Sequence, residues 1–122
     1  MKKILIVDDD VTALDLVDIL FERSGYEVVR HTDGGWVVEN IEAIQPDVIL
    51  IDMMMPKMSG QECIEVLRGM GIVIPIVAFT AMNDSDVHSK LMAGGADLVL
   101  TKPCRPETLV NEVNRVVKRE EA

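Results

Sequence analysis

Three apolar runs in the chain each stop at residues able to do chemistry. Ile4-Leu5-Ile6-Val7 stops at Asp8-Asp9-Asp10. Val48-Ile49-Leu50-Ile51 stops at Asp52, and Leu98-Val99-Leu100 stops at Thr101-Lys102-Pro103. A further run, through Phe79, stops at Thr80. A short apolar run reads as a buried strand, and a charge at its end reads as a residue on the rim of a sheet. If these strands are parallel, one edge of the sheet collects carboxylates, a lysine and a hydroxyl. Crowded carboxylates repel one another and stay ionised together only around a cation. Hard oxygen donors select Mg²⁺ or Mn²⁺. A lysine and a hydroxyl beside them suit the oxygens of a phosphoryl group.

Each residue also has a plainer reading. Acids at 8–10 suit a helix N-terminus. Asp52 can be a strand-end acid in water, Lys102 a surface lysine before a turn proline, and Thr80 a helix N-cap. The complementarity of four strand ends outweighs these separate readings.

The elements that must position these groups alternate. Strands are expected at Ile4–Val7, Glu27–Arg30, Val48–Ile51, Ile74–Phe79 and Leu98–Leu100. Helices are expected at Thr12–Arg23, Trp36–Ile44, Gln61–Arg68, Asp84–Ala93 and Pro106–Arg119. Ser24-Gly25 and Gly94-Gly95 close helices, Gln45-Pro46 breaks one, and Asp33-Gly34-Gly35 reads as a turn. The nearly all-aliphatic strands call for cover on both faces, which the intervening helices supply. The fold class is α/β: a doubly wound, five-stranded parallel sheet in a three-layer α/β/α arrangement. In the order 2-1-3-4-5 the crevice lies between strands one and three, where Asp8, Asp9 and Asp52 meet. The chain reads as one domain over 1–122, with its core at 3–118 and a charged tail from 119 that frays.

Bulk properties exclude other classes. At 48% apolar, the 122 residues are not a disordered chain. A net charge of −9 argues against nucleic acid and anionic membranes as partners, and 3% aromatics leaves no base-stacking platform. The apolar run after Met1-Lys2-Lys3 is too short for a signal peptide, and no run spans a membrane; the expected location is the cytoplasm. Cys63 and Cys104 lack metal spacing and read as packing residues. His31 and His88 read as surface or loop residues outside the site. Met53, Met54, Met55 and Met58 have no nearby Cys or His for a soft metal and read as packing or recognition surface.

The chain resembles the receiver domain of two-component response regulators. The matching segments are Ile4–Asp10, Pro46–Gly60, Ile74–Ala81, and Gly95-Ala96-Asp97 through Lys102-Pro103. The resemblance implies that Asp52 accepts a phosphoryl group from a phosphohistidine, forming an aspartyl phosphate. It implies that Asp9 and Asp52 ligate Mg²⁺ directly, with Mn²⁺ as a substitute, that Asp8 acts largely through water, and that the backbone carbonyl of Met54 is a further ligand. Thr80 and Lys102 would bind phosphoryl oxygens. The implied partners are a sensor histidine kinase or a histidine phosphotransfer protein and an unspecified downstream effector. The domain would catalyse only its own phosphorylation and dephosphorylation, and so is not a general enzyme. It would stand alone or be the amino-terminal part of a longer regulator.

The chain departs from the family pattern at several places. Val99 stands where an aromatic switch partner of Thr80 is common, which predicts a muted switch or one carried by the backbone. Cys104 stands where Phe is frequent. Ala81 is small and leaves entry room for the donor. Met54 and Met82 flank the route of the hydrolytic water and predict a long-lived phosphoryl group. Helix one carries apolar residues beyond one stripe, including Leu16 and Ile19, as a docking face for a helical donor would. One alternative is a degenerate receiver that binds partners without phosphorylation, against which the intact Asp8, Asp9, Asp52, Thr80 and Lys102 speak. An aspartate-nucleophile phosphohydrolase lacks its second acid, since Met54 stands there. A flavin carrier lacks its Ser/Thr-rich phosphate loop.

Overall fold

Aliphatic runs with period-two alternation bury both faces of a strand, and this chain uses both. A computed structural model describes residues 1–121. Among these described residues, five strands alternate with five helices. The strands are β1 (Lys3–Val7), β2 (Glu27–His31), β3 (Val48–Asp52), β4 (Ile76–Thr80) and β5 (Leu98–Thr101). The helices are α1 (Val11–Arg23), α2 (Gly34–Ile44), α3 (Gly60–Gly69), α4 (Ser85–Gly94) and α5 (Pro106–Glu121). The strands form one parallel sheet in the order β2-β1-β3-β4-β5, the doubly wound order expected from the sequence.

The core has two layers. Ile4, Ile6, Val48, Leu50 and Val77 face α1 and α5, packing against Leu14, Phe21, Leu109 and Val113. Leu5, Val7, Ile49, Ile51 and Ile76 face the other way, against Val37, Ile41, Cys63, Ile64, Leu67 and Leu91 of α2, α3 and α4. Burying one such side chain is worth about 1.5–3 kcal/mol, so β1 and β3 are held firmly up to their last residues. The thiol of Cys63 is pushed up to about 11 by burial and by Asp33, which fits its reading as a packing residue.

Boundaries move where side chains meet backbone. Asp33 accepts from Gly35 N–H and caps α2 at Gly34, so the expected turn is the first turn of the helix. Ser59 and Glu62 form a capping box that starts α3 at Gly60. β4 begins at Ile76 rather than Ile74. Pro75 has no N–H to give, and Arg68 takes the carbonyls of Ile72 and Ile74 at 2.9 and 2.8 Å. Arg68 also binds Gly95 O and the Asp97 carboxylate, tying the end of α3 to the α4–β5 turn. The tail expected to fray from position 119 is helical through Glu121; position 122 lies outside the described residues.

Gly60 sets the approach of α3 to the end of β3. Its N–H donates to Met53 O at 2.9 Å. A Cβ there would lie 2.5 Å from Asp52 O and 2.8 Å from Met53 Cα, both backbone atoms that cannot swing aside. Gly60→Ala is therefore expected to destabilise the fold by about 1–3 kcal/mol, the usual cost of overpacking. Chemical denaturation of the two proteins checks this; an unchanged midpoint would contradict the close approach.

Candidate functional site

The carboxyl ends of β1, β3, β4 and β5 share one edge of the sheet. Asp8 follows β1 and Asp52 ends β3, and these strands are neighbours registered through Val7 and Ile51. Both acids are 7% exposed, unusual for a carboxylate, whereas Asp9 is exposed. Oxygens of Asp8, Asp9 and Asp52 lie within 4.8 Å of one another. Asp10 does not join them. Its side chain accepts from Thr12 and Ala13 N–H at 3.0 and 3.3 Å and caps α1, so the helix-terminus reading holds for this member of the run. Its own N–H donates to Asp8 Oδ1 at 3.0 Å, which orients Asp8.

Lys102 reaches the cluster from the far side of the sheet. Its N–H donates to Thr80 O at 2.6 Å, extending the β4–β5 ladder by one residue. The Lys102–Pro103 peptide is cis. The Lys102 ammonium lies 3.3 Å from both Asp8 Oδ2 and Asp52 Oδ1. Burial opposes its charge, but Asp52 and then Asp8 prevail and raise its pKa. The Asp52 pKa is raised as well, first by burial and then by Asp8, with Lys102 pulling against them and Asp9 adding to the rise. Among the described residues, three clustered carboxylates face the ammonium of Lys102. A divalent cation would match the remaining negative charge, and the donors are hard oxygens that fit Mg²⁺.

Thr80 is fully buried, and the hydrogen-bond partners of its hydroxyl are not the carboxylates but neighbouring groups. Its oxygen accepts from Met82 N–H at 3.1 Å and donates to Met53 Sδ at 3.8 Å, a weak acceptor. It organises the turn after β4, while the N-cap of α4 is Asp84. Ala81 is exposed, and Met54 and Met82 stand at the rim, 60% and 40% exposed. Val99 packs into the α2–α4 layer.

One neighbour of the site, Phe79, was not singled out from the sequence, and the two histidines lie beside the turns around it. Phe79 presents its ring to the Lys102 ammonium, 5.1 Å from the centroid. His88 lies with Nε2 2.8 Å from the Met82 carbonyl, pinning the β4–α4 turn to its own helix. His31 stacks on Trp36 at 4.1 Å and lines a cleft with Asp9, Asp33 and Lys57. On α1, Leu16 and Ile19 are 66% and 49% exposed. With Val17, Leu20, Phe79 and Leu109 they line a groove of about 400 Å³ between α1 and α5.

Comparison with known proteins gives the family. The chain matches the family model "Response regulator receiver domain" over residues 4–114. It is 35% identical over 120 residues to the alkaline phosphatase synthesis transcriptional regulatory protein PhoP of Bacillus subtilis, covering 98% of this chain and 50% of that one. The DNA-binding response regulator MtrA of Mycolicibacterium smegmatis is also 35% identical, with 98% and 52% covered. The chain thus spans about half the length of these curated relatives. The receiver domain of the Francisella response regulator 1452 superimposes with a TM-score of 0.93 at 30% identity, covering 98% of this chain and 99% of that one. No helix among the described residues is long and apolar enough to cross a membrane. The family model, the curated relatives and the superimposed structure agree, and the chain belongs to the receiver domains of two-component response regulators.

Proposed function

We propose that this domain is the phosphoacceptor of a two-component phosphorelay and that Asp52 carries the phosphoryl group. The observation that carries the reading is the buried Asp52 carboxylate, held by Lys102 beside two further acids. An Asp52 oxygen attacks phosphorus as the P–N bond of a phosphohistidine breaks, and the imidazole leaves with the electron pair. A carboxylate is a competent nucleophile for this, and the remaining task is positioning and neutralising the phosphoryl oxygens. Lys102 neutralises one oxygen. The Thr80 hydroxyl gives up the weak Met53 acceptor for another. Asp9, Asp52 and the Met54 carbonyl would hold Mg²⁺ or Mn²⁺, with Asp8 contributing through water. A cation held there would screen the acids from the incoming phosphoryl group.

The donor is a sensor histidine kinase or a histidine phosphotransfer protein, and its histidine-bearing helix docks on the α1–α5 groove beside Lys102. Ala81 keeps the mouth open to it. The output is a change of partner-binding face read by a downstream effector; Thr80 takes part, with Val99 in place of an aromatic partner. The acidic domain itself binds no nucleic acid, acts in the cytoplasm and turns over no substrate but its own phosphoryl group. Residues 1–122 make up this single receiver domain.

The central test is to incubate the protein with a small acyl phosphate and Mg²⁺ and to measure its intact mass. One added phosphoryl group, absent in Asp52→Asn, is expected. No adduct on the wild type would instead favour a binding module independent of phosphorylation.

Hydrolysis gives a second check. Met54 and Met82 offer no polar group to orient water. Met54→Asn combined with Met82→Glu is expected to speed dephosphorylation on the order of tenfold or more. An unchanged lifetime would show that the methionines do not govern it.

Stability gives a third. A raised Asp52 pKa means that the metal-free native state binds more protons than the unfolded chain between the ordinary carboxylate value and the shifted one. Stability contributed there falls as pH rises through that window. Asp52→Asn should flatten this dependence and raise the melting temperature of metal-free protein at neutral pH. Mg²⁺ at ten times its Kd should add about 1.4 kcal/mol to the wild type and less to the variant. A variant melting below the metal-free wild type would contradict the crowded-charge account.

A further inference from the structure

Phe79 looks like one more aliphatic-layer residue, but its ring has a second neighbour. Register pairs Phe79 with Leu100 across β4 and β5, and both pack on the α1–α5 side. Lys102, two residues beyond Leu100, leaves the strand on the same side. Its ammonium sits 5.1 Å from the ring centroid. A cation within about 6 Å of an aromatic face is attracted by the ring quadrupole, more strongly when partly desolvated, and the Lys102 side chain is 28% exposed.

The two carboxylates share this ammonium without either making a short bond to it. Both lie at 3.3 Å, longer than the roughly 2.7–2.9 Å of a tight charge-assisted bond. Their pull also changes during the reaction. A cation among the acids weakens it, and phosphorylation turns Asp52 into an acyl phosphate. The ring has no charge to lose, so its attraction persists through each of these states. Lysine has a flexible four-carbon stem and is not held in one place by its own rotamers.

We propose that Phe79 is a positioning residue for phosphoryl transfer: its ring keeps the Lys102 ammonium at the Asp52 edge while the charges around it change. This rests on the phosphoacceptor reading above. Phe79 touches neither the phosphoryl group nor Asp52 and acts through the lysine alone. The bland alternative is that Phe79 only fills the groove shared with Leu20 and Leu109. A flexible apolar side chain would then serve equally well.

The experiment compares the rate of mass gain from a small acyl phosphate and Mg²⁺ for wild type, Phe79→Leu, Phe79→Met and Phe79→Tyr. The expected result is about tenfold slower gain in the Leu and Met variants, with Tyr close to wild type. Proton NMR of the Lys102 ε-methylene adds a direct signature: a ring-current upfield shift in the wild type and Tyr proteins that disappears without the ring. Leu and Met variants as fast as wild type overturn the proposal, as does a Tyr variant as slow as Leu. If both apolar variants fail to fold, the lysine shift of the wild type decides, and its absence overturns the proposal. A wild type that takes up no phosphoryl group overturns the parent reading and this one together. A reactive wild type with a fast Leu variant overturns only the role of Phe79.

Discussion

Like charges forced together at one sheet edge are the constraint on which the rest of this structure depends. Asp8 and Asp52 are almost buried, Asp9 is within 4.8 Å of both, and Lys102 alone of the described cations bridges the two buried acids. Left to relax, such groups would separate into water. They stay because β1 and β3 are central strands with both faces covered, and because each acid is the residue at which such a strand ends. The two-layer core therefore does more than stabilise. It supplies the stiffness that keeps an unfavourable charge arrangement in place.

The lysine is held differently from the acids. β5 is an edge strand whose four residues are all only half-buried. Lys102 is tied in by one backbone bond to Thr80, by two long contacts to the acids and by the Phe79 ring. Towards the same edge of the sheet but on its other face, α4 buries Leu91 among its described residues, and the Arg68 network secures its far end. Elements with few buried contacts open at the lowest cost. The rigid half of the molecule thus presents the acids, and the looser half answers them.

Much of this was legible in the sequence because strand ends announce themselves. A fully apolar run that stops at an acid gives both the strand and the position of its last side chain, so Asp8, Asp52 and Lys102 could be placed on one edge before any coordinates. What was not legible depends on contacts without a fixed spacing. Asp10 looks like a third member of an acid run, yet two N–H groups of α1 claim it. The start of β4 depends on where Arg68, on another helix, finds carbonyl partners. The Thr80 hydroxyl reads as an oxyanion donor, but in the resting structure the adjoining turn uses it. Phe79 reads as core because nothing in an apolar run shows which neighbour its ring will meet across the sheet.

Val99 and Phe79 bear on the same question from opposite faces of the sheet. Val99 packs into the α2–α4 layer, and its branched side chain is stiff at χ1. Phe79 packs on the α1–α5 layer and presents its ring to the Lys102 ammonium. Strand alternation separates these faces, so a side chain on one cannot stand in for a side chain on the other. Movement of Lys102 is therefore felt first by the wall of the α1–α5 groove, and movement of Thr80 by the turn that His88 pins. Val99 therefore lies on the layer away from Lys102, and the aromatic that meets this lysine lies on the α1–α5 face.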